Sequence, residues 1–409
     1  MASIASRLRA VPWEALDATA VAPALRAVLE GATAEREVDR VLRAHRGFSR
    51  EQRRAAAEAI FGVALWRRRL AWQARISSGL YIGAPVPHPM GIISEGSDIP
   101  LALLCCLIRD LALAPLPPAL REKAPAPREG EPERMADRWS LPDWLEELLL
   151  REMGPDAEAF CAAIAVPGPV CLRANRLLTT REQLAEILRA EGIATCPAAR
   201  APDALVVESE TPPNLFGSRA WQDGLFEPQD EGSQLLGMLV EPAPGETVLD
   251  LCAGAGGKSL LLAAQGARVL AHDVDPERLA RLRARARRAQ AQDRIEVVDP
   301  PRPADRVLVD APCSELGTLR RGPDARWRID PATLPTLPTA QRRLLETAAP
   351  LARKRLVYGT CTIARAENEA VAESFEAAHP EFRRARDFWH TLPHQTGTDG
   401  FFAAVWERA

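Results

Sequence analysis

The sequence predicts three successive fold types: an all-α N-terminal domain, a small α+β domain, and a C-terminal α/β domain on a doubly wound, mostly parallel sheet. Three observations predict this. Apolar residues recur at three- and four-residue steps through residues 1–114. Residues 115–138 (PLPPALREKAPAPREGEPERMADR) lose that period and are rich in Pro and charge, as a linker would be. From residue 247 onward, short β-branched runs alternate with helical segments, which is the pattern of a parallel sheet. The expected division is 1–138 (helical, with the linker at about 115–138), 139–235 (small α+β) and 236–409 (α/β).

Length and composition agree with that division. A chain of 409 residues is too long for one ordinary core. Its 47% hydrophobic and 26% charged residues exclude a disordered, collagen-like or disulfide-stapled chain. Net charge is −3, so no global basic field advertises nucleic acid. Only Lys123, Lys258 and Lys354 are lysine, and all other basic residues are arginine. The eight cysteines are too sparse for a disulfide framework and form no CxxC pair, so neither a staple nor a metal site is expected. The N-terminus lacks the apolar core of a signal peptide, and LALLCCLI at 101–108 is far short of a membrane span. A cytoplasmic protein, with no membrane association and its cysteines as thiols, is expected.

In the helical region the apolar sets are Val21/Leu25/Val28/Leu29, Val38/Val41/Leu42 and Ala57/Ile60/Phe61/Ala64/Leu65. Ser49 with Gln52 makes a capping box for the third helix. Residues 1–100 carry a net +4, with arginines clustered at Arg50/Arg53/Arg54 and Arg67–Arg69. A solvated helix face accounts for such a run, and a phosphate-facing stripe is the sharper alternative. In the middle region a helix is expected from Trp139 to Met153 and another at 181–191, with strands at 170–178 and 205–209.

Ligands of doubly wound sheets sit beyond the carboxyl ends of the strands. The first such strand runs into Asp250-Leu251-Cys252-Ala253-Gly254-Ala255-Gly256-Gly257-Lys258-Ser259. A P-loop needs glycine at 252 and a dinucleotide fingerprint needs glycine at 259; Cys252 and Ser259 stand there instead. An adenosyl ligand without a pyrophosphate remains, of which S-adenosylmethionine is the common one, its carboxylate suited to the helix N-terminus. The second strand ends at Asp273, placed for a ribose diol, with Asp275 capping the next helix; the third ends at Asp299, placed for an adenine amino group.

The fourth strand ends in Asp310-Ala311-Pro312-Cys313-Ser314 and the fifth in Tyr358-Gly359-Thr360-Cys361-Thr362, so each delivers a thiol to one rim. Cys105, Cys106, Cys161, Cys171 and Cys196 suit small buried apolar positions. A rim thiolate suits methylation at carbon 5 of a pyrimidine. That carbon becomes nucleophilic only after a nucleophile adds to carbon 6, while an acid near N3 absorbs the charge.

With these motifs in view, the chain resembles the Sun-type RNA (cytosine-5) methyltransferases, nearest the bacterial 16S ribosomal RNA branch with a NusB-like N-terminal domain. The matching stretches are QDEGSQ (229–234), LDLCAGAGGKS (249–259), VDAPCSELGTLRRGPDARW (309–327), LVYGTCTIARAENE (356–369) and TDGFFAA (398–404); FSREQRRAAAEAIFGVALWRRRL (48–70) looks like the NusB-like segment. The resemblance implies a Rossmann-like class I methyltransferase domain, a monomer, and RNA, ribosomal above all, as substrate. It implies Cys361 as the nucleophile on carbon 6, Cys313 as the aid to adduct breakdown, and Asp310 as the group near N3 and beside the cofactor methyl. Cys252, Ala253, Gly254, Ala255, Gly256, Gly257, Lys258, Asp273, Asp299 and Asp310 would bind S-adenosylmethionine, with no metal.

The chain departs from the family pattern at Glu315, where a small residue is usual, at Arg353-Lys354, which replace a glycine pair, and in the short span from Asp299 to Asp310. Arg320 and Arg321 are expected on phosphate, with Trp327 as part of a well-ordered surface loop, and Arg173 and Asn175 near the RNA entrance. Arg278, Arg281, Arg285 and Arg288 form a solvated stripe, with Arg278 near the ribose. Two rivals remain. One is a methyltransferase with a DNA or protein-amide acceptor; the other is an RNA-binding or ribosome-assembly factor that keeps the fold with weak or no turnover.

Overall fold

The computed structural model describes residues 2–76, 98–209, 213–322 and 324–409. Part of the region read as helical, 77–97, lies outside the described residues. The chain divides into two compact units: residues 1–167 with 319–333, and 168–318 with 334–409.

The first unit is helical, as its period predicts. Helices at Ala18–Leu29, Ala34–Ala44 and Arg50–Gln73 carry the three apolar sets. The third opens on the expected capping box: Ser49 Oγ accepts from Gln52 N at 3.2 Å and Gln52 Oε1 accepts from Ser49 N at 2.9 Å. The segment expected as a linker is instead partly ordered and packed. It holds a short helix at Pro118–Lys123 and another at Met135–Trp139, with Leu120 and Ala136 fully buried. The helix expected from Trp139 to Met153 is broken: Ser140 takes a left-handed φ of 55° and the next helix begins at Asp143, after Pro142. Pro142 cannot supply a helical N–H, so the chain restarts there.

The second unit contains both sheets. The small one comprises β1 (Cys171–Ala174), β2 (Thr195–Pro197), β3 (Ala204–Val207) and β4 (Phe226–Pro228), all antiparallel in the order β2-β3-β1-β4. Helix Arg181–Ala190, with its own Thr180/Gln183 capping box, covers it. The large sheet comprises β5 (Thr247–Asp250), β6 (Arg268–Ala271), β7 (Ile295–Val297), β8 (Ala304–Asp310), β9 (Ala352–Thr360), β10 (Phe382–Arg384), β11 (Trp389–Thr391) and β12 (Phe401–Arg408). Its order is β10-β12-β9-β8-β5-β6-β7, with β11 pairing β12. The five strands from β5 to β9 are parallel, and the last three are antiparallel additions at one edge.

Period-two alternation divides the large sheet between two cores. Val248, Leu308 and Val357 face one; Leu249, Val307, Val309, Leu356 and Tyr358 face the other. The register sets Asp310 opposite Gly359, so the loops carrying Cys313 and Cys361 leave adjacent strands side by side.

Relative to the expected three-part division, residues 139–167 fall with the helical unit, 319–333 return to it, and the small and large sheets share one unit. Two side chains, Arg173 on β1 and Asn175 just past its end, tie the small sheet to the helices that flank the large one. Asn175 Nδ2 donates to Gly224 O and Ala289 O, both at 2.9 Å, and Arg173 Nη1 donates to Gly257 O at 2.8 Å and also bonds Gln229. Both residues are buried.

Candidate active site

The C-terminal ends of β5, β6, β8 and β9 open on one cleft of about 820 Å³. Its lining includes Cys252, Ala253, Gly254, Ala255, Gly257, Lys258, Asp273, Asp299, Asp310, Cys313 and Cys361. Gly256 sits just behind, as the N-cap of helix Gly257–Ala264, with a φ of 87° that only glycine takes without strain. A Cβ there would stand 2.7 Å from Leu282 Cγ.

Each acid has a defined station. Asp273 Oδ2 accepts from Gly254 N at 2.8 Å and its Oδ1 accepts from Asp275 N at 2.8 Å, so it fixes the glycine turn while facing the cleft. Asp275 caps its helix, accepting from Glu277 N at 2.9 Å. Asp299 lies two residues past the end of β7. Asp310 Oδ2 receives Lys258 Nζ at 2.7 Å, and Lys258 also lies 5.8 Å from the Phe401 ring centroid. Burial pulls the Lys258 pKa down, but the charge and hydrogen bond of Asp310, with Cys361 and Asp250 nearby, outweigh it and raise the pKa, so the ammonium persists.

The two rim thiols meet. Cys313 Sγ and Cys361 Sγ are 3.4 Å apart, and Cys361 N points at Cys313 Sγ at 3.3 Å. The Cys313 contact, burial, and the charges of Asp310 and Glu315 push the Cys361 thiol well above its ordinary range. Gly317 closes the loop: its N donates to Cys361 O at 3.0 Å and its carbonyl accepts from Gly400 N at 2.9 Å. A Cβ at Gly317 would stand 2.1 Å from Gly400 O. The TDGFFAA stretch therefore braces the site, and Asp230 of QDEGSQ ties to it by accepting from Asp399 N at 3.3 Å.

Sequence reasoning passed over several groups. Asp250, 1% exposed, receives Ser259 Oγ at 2.6 Å on one oxygen, and its other oxygen has no protein donor. Burial pushes it up to about 7. A carboxylate closing an otherwise apolar strand was the available signal. Glu367, Asn368, Ser314, Thr362 and Gln341 form a buried network behind both cysteines. Arg285 Nη1 donates to Ala255 O at 2.8 Å and so holds the glycine loop from the helix behind it.

The arginine stripe divides. Arg278 and Arg281 are exposed, whereas Arg285 and Arg288 converge on buried Glu227, with Arg288 stacked 3.4 Å from the Trp221 ring centroid. Arg353-Lys354 fit because both lie in β9, where Lys354 Nζ reaches Glu246 at 2.7 Å and Asp305 at 3.2 Å. In the 319–333 segment, Trp327 lies under Arg67 (5.0 Å to the ring centroid), and the buried arginine there is Arg326. Arg326 donates to Trp139 O at 3.4 Å and Ile164 O at 3.3 Å.

The cleft fits an adenosyl donor on two observations: the glycine turn brings backbone close to the cavity, and the Asp250 oxygen is buried without a donor. Among the described residues no His/Cys/Asp/Glu group is arranged to hold a metal, and no helix is long and apolar enough to cross a membrane.

Comparison with known proteins agrees with this geometry. Residues 237–407 match the family described as 16S rRNA methyltransferase RsmB/F, and residues 141–213 match the ferredoxin-like domain of RsmF/B-like methyltransferases. The chain is 34% identical over 312 residues to the probable ribosomal RNA small subunit methyltransferase B of Synechocystis, spanning 67% of this chain and 68% of that one. It is 34% identical over 307 residues to ribosomal RNA small subunit methyltransferase B of Thermus thermophilus, spanning 69% and 68%. The crystal structure of PH0851 shares the fold, with a TM-score of 0.73 at 22% identity over 99% of both chains. Matched across the cofactor loop, both cysteine loops and three strands of the small sheet, the chain belongs to the RsmB/F family of 16S rRNA methyltransferases, whose methyl donor is S-adenosylmethionine.

Proposed function

We propose that this protein methylates carbon 5 of a cytosine in ribosomal RNA through a covalent cysteine–carbon 6 adduct. The observation that carries the reading is the pair of thiols 3.4 Å apart beside the Lys258–Asp310 pair, at one end of one cleft. Aliphatic, amide or phosphate acceptors give two such thiols no task.

Bound S-adenosylmethionine would supply an electrophilic methyl group; Cys252 to Lys258, Asp273 and Asp299 would hold it. In this reading Cys361, as thiolate, adds to carbon 6, and the C5–C6 π pair shifts to form a C4–C5 enamine as N3 takes a proton. Asp310, steadied by the Lys258 ammonium, meets the N3 edge of the base, where charge develops. Once carbon 5 carries the methyl group, loss of its proton restores the double bond and expels Cys361 as thiolate. Cys313, in contact with Cys361, assists that last step. The base must leave its stack to reach the cleft, so the target is a loop or unstacked nucleotide.

The test uses bacterial ribosomal RNA and labelled cofactor with wild type, Cys361→Ala and Cys313→Ala. Label at cytosine carbon 5 is expected from wild type and none from Cys361→Ala. Cys313→Ala should accumulate a denaturation-resistant protein–RNA adduct. Full transfer by Cys361→Ala would overturn the mechanism. The upward push that Glu315 adds to the Cys361 thiol favours the second reading, an assembly factor with little turnover. No transfer by wild type to any RNA or ribosomal particle would decide for it.

A further inference from the structure

One buried carboxylate reaches both cysteine loops. Glu367, 2% exposed, lies in the turn after β9. Its Oε2 accepts from Ser314 N at 3.0 Å and from Gln341 Nε2 at 2.9 Å, and its Oε1 accepts from Ser314 Oγ. Ser314 Oγ lies 2.7 Å from Thr362 Oγ1, which in turn accepts from Ala364 N at 3.3 Å. A hydroxyl has one proton. With Ser314 donating to Glu367, the Thr362 hydroxyl is left to donate to Ser314 Oγ or to Glu367 Oε1, itself 3.5 Å away, so both hydroxyls point at the carboxylate.

Ser314 follows Cys313 and Thr362 follows Cys361, so the two loops are joined through one side chain. The backbone repeats the link. Gln341 Nε2 also donates to Pro312 O at 3.0 Å, Tyr358 OH donates to Glu367 O at 2.6 Å, and Asn368 Nδ2 donates to Thr362 O at 3.0 Å. Glu367 touches neither thiol in these contacts. Removing it would leave the Ser314 amide and one N–H of the Gln341 amide as buried donors without an acceptor and would cut the hydroxyl pair from the carboxylate it ends on, a costly state that the loops would relieve by moving apart.

We propose that Glu367 is the positioning residue that sets the distance between Cys313 and Cys361, acting through Ser314 and Thr362. Its importance for turnover rests on the methylation chemistry proposed above, but the positioning itself is measurable without RNA or cofactor. The reduced full chain is treated with diamide, a diazene that accepts the two electrons and two protons of a thiol pair as one S–S bond forms. Peptide mapping follows the Cys313–Cys361 cross-link, with alkylation of partly exposed Cys196 as the control.

Wild type should cross-link fastest. Glu367→Gln keeps an oxygen for the two N–H donors, and the hydroxyl chain can reverse, so its rate should stay within about threefold of wild type. Glu367→Ala should cross-link at least about tenfold more slowly, with Cys196 alkylation unchanged. In methyl transfer, Glu367→Ala should lower kcat with little change in the cofactor KM, and Glu367→Gln should recover most of it. A wild-type cross-linking rate in Glu367→Ala overturns the proposal. Should Glu367→Ala fail to fold, Ser314→Ala, which deletes only the hydroxyl step, decides in its place: slower cross-linking supports the proposal and an unchanged rate overturns it. Absence of methyl transfer by wild type would defeat the functional reading and leave the cross-linking result standing.

Discussion

The helical unit and the cleft both take charged groups out of water, and they treat them differently. In helix Arg50–Gln73, Arg67, Arg68 and Arg69 are 6%, 3% and 3% exposed. Each guanidinium ends on groups of its own unit: Arg68 on Asp137 at 2.5 Å and Asp143 at 2.8 Å, Arg69 on Glu131 at 2.7 Å, and Arg67 on the Val28 carbonyl at 3.3 Å and the face of Trp327. In the cleft the groups end facing a cavity. Asp250 has an oxygen without a protein donor, and the thiols of Cys313 and Cys361 meet each other at its rim. Buried polarity that closes on itself holds a fold; buried polarity left open toward a cavity is available to chemistry.

Substitutions on the two sides should therefore separate stability from turnover. Cys361→Ala should reduce methyl transfer by roughly a thousandfold or more while leaving the urea midpoint unchanged. A large stability loss would place Cys361 with the structural groups. Arg68→Ala should do the reverse. It strands Asp137 beside a buried gap, while Asp143 keeps Arg134 at 2.9 Å, and removing one partner of a largely buried ion pair costs about 3 kcal/mol, readable in urea unfolding by tryptophan fluorescence. The Cys313–Cys361 cross-linking rate of the folded fraction should not move.

A pH profile sharpens the contrast at lower amplitude. Because the Cys361 thiol is pushed well above its ordinary range, it is neutral near pH 7 and its reactive form grows as pH rises. Trapping of the RNA adduct by Cys313→Ala, which loses the Cys313 contact but keeps burial and the charges of Asp310 and Glu315, should quicken about tenfold per pH unit up to its own, lower pKa. Glu315→Gln removes a raising charge and should shift the profile to lower pH; a profile unmoved by it would make that charge irrelevant to the thiol. The smallest effect belongs to a local device. Ser49→Ala deletes the cap of helix Arg50–Gln73 and should cost about 1 kcal/mol by urea unfolding, with methyl transfer per folded molecule unaltered.

Much of the second unit was legible because its signals are local. Strand β5 is four residues of β-branched and apolar character closed by an acid, the glycines follow at once, and helix Pro276–Arg288 announces itself by Asp275 and Pro276. The antiparallel strands β10 and β11 escaped because three residues hold too short a pattern to stand out, and β12 because its run, buried on both faces, shows no period-two alternation. The arginines misled for the opposite reason. A run such as Arg67–Arg69 has the same spelling on a wet face and in a core, and only partners 62 to 75 positions away, Glu131, Asp137 and Asp143, tell them apart. Arg285 and Arg288 were hidden in the same way by Glu227, about 60 positions earlier.

The sequence by itself determined the parallel β/α alternation, the glycine loop for an adenosyl ligand, and the delivery of one thiol from each of two strand ends. These follow from period, backbone freedom and the rule that ligands gather beyond the strands. The tertiary structure decided that the thiols touch, that Lys258 holds Asp310, that Asp250 is raised, and that Glu367 reaches both loops. Each of those depends on register and on burial. A one-residue slip between β8 and β9 would separate Asp310 from Gly359 and the two loops from each other, while leaving every local motif unchanged.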